Sequence, residues 1–433
     1  MRLVRWGLPY SRPEAAQPSV KSLNLIHGGE RTTMPRGIPP AHAVVKSNSL
    51  GHYALAAVAA AVLLGSASAC HGIERLIVGP RVDNEHPSPL RLIWHTATEA
   101  TDVRYWFGQP ALDNGKLFIE DANKVAAFDA LTGRALWKRP VRVAPVPAAE
   151  AVLARSGRVF IAEADSILAM DAADGHTLWN VRPDSQAAGA FPAVDDDALY
   201  AGQRGIPTVY AISVGDGRLL WKMNVGVGWT FPGHVKGLAV SGDTVYVNVW
   251  RFLTLNGYLS QGVLVALDRR DGSELWRYES PDTASGFHFA PAVSGRLIVV
   301  SDVQGGRTLG IDRFSKQLQW AVPHYALSTP VIVGDTVFGA SNDLYAWAAR
   351  LSTGALLWHK KTGGSFSAST YCAGGVIANQ EMVQRLDAAT GAYTGAFNVH
   401  LDTEGTYTSA FVADGSSVYF TGQGGVYAIE CRP

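Results

Sequence analysis

From about residue 90 onward, apolar positions fall in short runs. Each run is split from the next by Gly, Asp, Asn or Ser. In "GKLFIEDANKVAAFDALTGRALW" the runs "KLFIE", "KVAAFD" and "RALW" are separated by "DAN" and "ALTG", which are turn chemistry. A further run, "GQPALDN", precedes them, so the unit predicts four short strands. The stretches "PAVSGRLIVVSD", "PVIVGDTVFGAS" and "FVADGSSVYFTG" repeat the strand–turn–strand part of that plan. No window sustains an apolar period of 3.6 residues, so a helical repeat is excluded.

The end of the unit recurs in register. "FDALTGRALWKR" is followed by "MDAADGHTLWNV", "ISVGDGRLLWKM" and "LDRRDGSELWRY". Looser copies are "IDRFSKQLQWAV", "ARLSTGALLWHK" and "LDAATGAYTGAFNV". The closing aromatics are Trp137, Trp179, Trp221, Trp276, Trp320, Trp358 and Phe397, spaced by 42, 42, 55, 44, 38 and 39 residues. Trp94, in "RLIWHTA", lies 43 before Trp137 with no copy of the motif in front of it. A period near 40 is the signature of a repeat array. Four antiparallel strands per repeat describe the blades of a propeller.

The motif then has a mechanical reading. Its Asp bonds the turn backbone, and its Gly takes a left-handed conformation at no steric cost. The hairpin aims the aromatic at the adjoining blade, where an indole N–H can reach a carbonyl. Eight such aromatics predict an all-β, eight-bladed propeller over residues 90–431, with four-stranded antiparallel blades. Three strands follow Phe397 and one carries Trp94. The expected closure is therefore a last blade shared between the two ends of the chain.

Before the repeats, "YALAAVAAAVLLG" (53–65) is the only long apolar run, and its 13 residues are too few to span a bilayer as a helix. Arg36, Lys46 and His52 precede it, and "SASAC" follows. Basic, apolar and then small residues make an export signal. Residues 1–69 are read as leader, with Met34 as an alternative start, and 70–89 as linker. Two cleavage readings stand: an ordinary signal-peptidase site after "ASA", or a lipobox in which Cys70 carries a lipid anchor. Ala67 stands where a lipobox usually has Leu. Lipidation is the favoured reading.

Lys+Arg and Asp+Glu are both 37, which gives no electrostatic case for nucleic acid. The three cysteines, Cys70, Cys372 and Cys431, form no CxxC pair, which excludes zinc-ribbon and redox motifs. Cys372 is placed on an inner strand and Cys431 near the third strand of the next blade. That separation argues against a bond between them.

The D-x-x-T-G-x-x-L-W repeat resembles that of the pyrroloquinoline-quinone-type propellers. Two branches are similar. The quinoprotein alcohol dehydrogenases imply a quinone held by a tryptophan and a vicinal disulfide, with calcium. No adjacent cysteines occur here, and the acids Asp129, Asp171, Asp216 and Asp268 lie in turn motifs. The BamB-type lipoproteins of outer-membrane assembly imply a single eight-bladed propeller behind a lipoprotein signal, and the overall plan looks like theirs.

The resemblance and the missing catalytic motifs together lead us to expect no enzyme activity and no cofactor or metal. The expected role is a monomeric cell-envelope scaffold with a protein partner, held to the membrane only by its lipid anchor. It would be anchored at the outer membrane facing the periplasm, or be soluble and exported. A receptor for a small ligand or glycan in the channel mouth is the alternative, and a quinone-dependent dehydrogenase comes third.

Candidate contact residues lie in the loops entering each blade. They are Trp106, Phe107, Phe191, Trp229, Phe231, Phe287, Phe289, Phe366 and Tyr407. They form a rim for a partner, or else they fill the channel. His234, His288 and His324 occupy consecutive loops. Three imidazoles can make a zinc shell, but the unequal offsets favour local hydrogen bonding instead. The 55-residue spacing marks an insertion, "NVWRFLTLNGYLSQGVL", whose Trp250, Phe252 and Tyr258 make it the best docking candidate. An extended hairpin packed on its own blade is the other reading of it.

Overall fold

The computed structural model describes residues 88–433 apart from 99–108, 122, 142–151, 163–165, 184–191, 204, 256, 342–344, 363–368, 380–381, 398–408 and 423. These residues form eight four-stranded antiparallel sheets. Seven run in chain order from the inner to the outer strand. They span 111–140, 153–181, 193–224, 233–279, 287–322, 331–361 and 369–397, here blades 1 to 7. Blade 8 is stitched from both ends. Val412–Asp414, Ser417–Gly422 and Gly425–Cys431 supply its first three strands, and Leu90–Thr96 the outer one. That outer strand pairs antiparallel with the third, from Leu90↔Cys431 to Thr96↔Val426. The architecture is an all-β, eight-bladed propeller.

Burial explains the sequence pattern strand by strand. The middle strands of each blade lie between two neighbouring blades, so both faces are covered and the runs are almost wholly apolar. Ile167–Asp171 and Ala198–Gly202 are buried along nearly their whole length. Outer strands bury few residues: in Thr177–Val181 it is Trp179 alone, with exposed neighbours on either side.

That residue sets the spacing of the blades. In blade 1 the Asp129 carboxylate accepts the Thr132 N–H (2.9 Å) and hydroxyl (2.7 Å), and the Gly133 N–H donates to the Asp129 carbonyl (2.8 Å). Gly133 takes φ 71°. The Trp94 ring of blade 8 lies flat on it: a Cβ at Gly133 would stand 2.5 Å from the ring. The indole N–H donates to the Ala130 carbonyl at 2.9 Å. The arrangement repeats with Trp137 on Gly175, Trp179 on Gly217, Trp221 on Gly272, Trp320 on Gly354 and Trp358 on Gly391. The acceptors are the carbonyls of Ala172, Val214, Arg269, Leu351 and Ala388, at 2.8–3.2 Å. The same glycine therefore serves twice, once for its own turn and once as the floor under a neighbour's indole.

Two positions break the pattern, each for a visible reason. In "DRFSKQ" of blade 5 the left-handed residue is Lys316 (φ 64°) rather than Gly. A side chain stands where the ring of Trp276 would rest. Trp276 is only half-buried, although it keeps the contact with an aromatic of its own blade (Tyr246, 6.2 Å) that Trp94, Trp137, Trp179, Trp221 and Trp358 also make. In blade 8 the third and fourth strands come from opposite ends of the chain, so no turn links them. The aromatic facing that gap is Phe397, edge-on to Tyr427 at 6.4 Å.

The cysteines correct a sequence expectation. Cys372 and Cys431 are joined as a disulfide, with Cα atoms 6.2 Å apart. Inner and third strands of neighbouring blades were expected to lie too far apart, but their ends come together where the two facing blades stack. Twisted sheets cross as they stack. The end of the inner strand of blade 7 therefore overlaps the end of the third strand of blade 8, inside a core cluster that also holds Leu90, Phe411 and Ile429.

Replacing Trp179 by Ala is expected to cost about 3–5 kcal/mol, the range for a buried aromatic. Trp276→Ala should cost only about 1 kcal/mol, the ordinary scale for a half-exposed site. Denaturant unfolding of both variants checks the contrast. Equal losses would mean that the glycine floor is irrelevant to the clasp.

Candidate functional site

Each inner strand starts at the end of the blade where the second strand finishes. The loops entering the blades and the tips of the central hairpins therefore share one face of the ring. Blade 4 stands out there. Its first three strands, Gly233–Ser241, Thr244–Phe252 and Ser260–Asp268, have nine residues each. The apolar insertion is thus mostly strand. It continues the pairing as far as Phe252↔Ser260 and leaves a tip of 253–259. At the tip Leu255 is 89% and Tyr258 84% exposed, and Leu259 is exposed too.

Below the tip, side chains from blades 4 and 5 gather on the face between them. His234 pairs across strands with Trp250, and the Trp250 ring contacts Phe252 (4.9 Å) and His288 of blade 5 (5.2 Å). Phe252 meets His234 edge-on at 5.0 Å. The Lys236 ammonium lies 4.8 Å over the Trp250 ring, a cation–π placement. Lys236 is the bulged residue between Val235 and Gly237, and the bulge turns its side chain toward the indole. On the opposite face of blade 4 the Arg251 guanidinium covers the half-buried Trp229 at 4.8 Å. Phe231 is half-buried next to it.

Backbone geometry brings blade 5 this close. Phe289 adopts φ 62°, and its peptide passes so near Gly237 that a Cβ there would be 2.3 Å from the Phe289 carbonyl carbon. The Asn248 side-chain amide, fully buried, donates to the Phe289 carbonyl at 3.1 Å. The register of the inner strand of blade 5 shifts between His288 and Ala292 to allow this.

The remaining candidates divide. Phe287 is not a rim residue: it is fully buried, stacked on Tyr278 (6.4 Å) and pressed on Gly262. A Gly in the facing strand is the signal that could have marked it as core. Trp106, Phe107, Phe191, Phe366, Tyr407 and Cys70 lie outside the described residues. The three loop histidines do not gather. His234 accepts the Gly205 N–H at 2.8 Å and His288 adjoins Trp250, whereas His324 lies by His359 (5.1 Å) and Tyr345 (6.3 Å) of blade 6. Among the described residues Asp171, Asp174 and His176 bring ligand atoms within 4.8 Å of one another. They sit in the blade 2 turn, where Asp171 accepts the Ala173 N–H and Asp174 the His176 N–H.

Residues 91–225 and 207–432 match the family model described as outer membrane protein assembly factor BamB. The chain belongs to the BamB family. Its fold is similar to BamB from Moraxella catarrhalis, with 16% identity over 78% of this chain and 97% of that one, at a TM-score of 0.61. It is also similar to the quinohemoprotein alcohol dehydrogenase ADHIIG from Pseudomonas putida HK5, with 14% identity over 81% and 78%, at 0.58. Sqt1 of Saccharomyces cerevisiae shares 10% identity over 79% and 99%, at 0.56. Likeness at such identities speaks for the fold. No curated protein sequence matches significantly.

In this BamB-family propeller the blade 4 groove is electrostatically quiet on its His side. Burial, helped by Lys236 and His234, pulls His288 down to about 3. An unfolded imidazole takes up its proton near 6.5. Between those values the unfolded chain holds a proton that the folded one lacks. The stability His288 contributes is therefore complete above about pH 6.5 and is lost as pH falls toward 3. His288→Gln should flatten this part of the profile. Unfolding of wild type and variant at pH 7.5, 6 and 4.5 reads it directly. Parallel profiles would show that His288 titrates as an ordinary surface histidine.

Proposed function

We propose that this BamB-family propeller is a non-catalytic scaffold of the cell envelope that docks a protein partner on the hairpin face of blade 4. The observation that carries this reading is the long hairpin itself. Leu255, Tyr258 and Leu259 project at its tip, above the groove of Trp250, Phe252 and His234. Large apolar side chains displayed on a rigid element suit the buried centre of an interface. The family points to a partner in outer-membrane protein assembly.

Two further observations favour a scaffold over a dehydrogenase. The cysteines are not vicinal: Cys372 and Cys431 pair with each other between blades, at the end of the strands opposite the hairpin tip. The motif acids are engaged in their own turns, as with Asp129, Asp171 and Asp387.

Pairing of Cys372 with Cys431 leaves Cys70 as the odd cysteine in the sequence. An unpaired cysteine after an export signal is accounted for by lipid attachment, which would hold the chain at the outer membrane facing the periplasm.

Replacing both Leu255 and Tyr258 by Ser should reduce recovery of a cross-linked envelope partner at least tenfold and leave thermal unfolding unchanged. The pair Trp229→Ala and Phe231→Ala tests the neighbouring face. Full recovery with both double variants would remove this end of the ring as the docking surface. Separately, Cys70→Ser is expected to abolish labelling by a fatty acid and to release the protein from membranes. A variant that stays membrane-bound would end the lipid-anchor reading.

A further inference from the structure

The interface between blades 7 and 8 is built differently from the others. Its aromatic is Phe397, which has no N–H to donate. Blade 8 has no turn between its third and fourth strands, so no left-handed glycine offers a floor. A shared cluster of buried apolar side chains, among them Ile377, Val383, Phe420 and Ile429, packs the two blades together, and among the described residues the polar ties are few. The Ser88 hydroxyl donates to the Ala396 carbonyl (3.4 Å). Pro89 packs on Gly395. Among the described residues, the one covalent bond across this interface is the disulfide. Its two cysteines are 2% and 1% exposed.

That burial has a chemical consequence. Disulfide exchange requires a thiolate to reach a sulfur atom in line. With blades 7 and 8 packed together, neither an oxidant nor a reductant can approach these sulfurs. The bond must form while the interface is open, and once formed it is shielded.

We propose that Cys372 and Cys431 are a substrate pair for an exported thiol oxidase, and that their oxidation is the step that locks blade 8 onto blade 7. One cysteine thiolate attacks the oxidant's disulfide and expels a thiolate, giving a mixed disulfide. The second cysteine thiolate then attacks the protein sulfur of that mixed disulfide. Two electrons and two protons pass from the protein dithiol to the oxidant, whose disulfide becomes a dithiol. The reaction that completes this protein is therefore a dithiol oxidation, which belongs to an oxidising compartment. This assignment does not depend on the docking surface.

Amide hydrogen exchange on the mature protein tests it, because exchange reports local opening. Ser369–Cys372 and Gly425–Cys431 report the seam, and Thr208–Ser213 of blade 3 serves as reference. Reduction in denaturant with tris(2-carboxyethyl)phosphine, followed by refolding, should leave the seam amides exchanging at least tenfold faster with the reference unchanged. Oxidised glutathione added to the reduced chain should restore protection. Cys431→Ala should behave like the reduced protein and ignore both reagents. Protein isolated from the envelope should resist alkylation at both positions even when denatured. Three results would overturn the proposal: seam protection unaffected by reduction, protection lost equally in every blade, or free Cys372 and Cys431 in the isolated protein.

Discussion

An indole laid flat on a residue without a Cβ is the contact on which this ring depends. The outer strand of each blade carries the closing aromatic of its repeat. Where that side chain is tryptophan and the next blade offers a left-handed glycine, the ring and the turn backbone close to van der Waals distance. The N–H then finds a fixed carbonyl. A wide apolar surface alone would let neighbouring sheets slide. The hydrogen bond at the edge of the indole fixes the position along the blade, and the glycine fixes the distance. Six interfaces use this device unchanged.

Much of this was legible in the chain, because the two halves of the device sit a few residues apart in one motif. The strand plan, the eight blades and the shared last blade follow from the spacing of the aromatics. What the motif does not display is its partner. Trp276 reads like the other tryptophans, but its fate is set by Lys316, forty residues later. Phe287 reads as a loop aromatic, and only Gly262 in the facing blade reveals it as core. Cys372 and Cys431 meet through the crossing of two sheets, which no single-strand pattern records.

The candidate site was legible in composition more than in shape. An apolar insertion was visible in "NVWRFLTLNGYLSQGVL", but strand pairing turned most of it into a raised hairpin with a short tip. Its neighbours from blade 5 owe their position to Phe289, a bulky residue held at positive φ, and to the bare backbone of Gly237. Residues of that kind are chosen by tertiary contact, so local propensity does not announce them.

The clasps also set an order of events for folding. Each joins residues about one repeat apart, as Trp94 joins Ala130 and Gly133. Contacts of that kind close short loops, and they let structure spread from blade to blade like a one-dimensional array. The pairing of Leu90 with Cys431 is of another kind, since it joins the two ends of the array. Until the blades between them are in place, those ends are held apart by the entropy of a long loop. Afterwards the curvature of the stacked blades delivers one end to the other. The slow, non-local step of an all-β chain is thereby deferred to a single strand, added last.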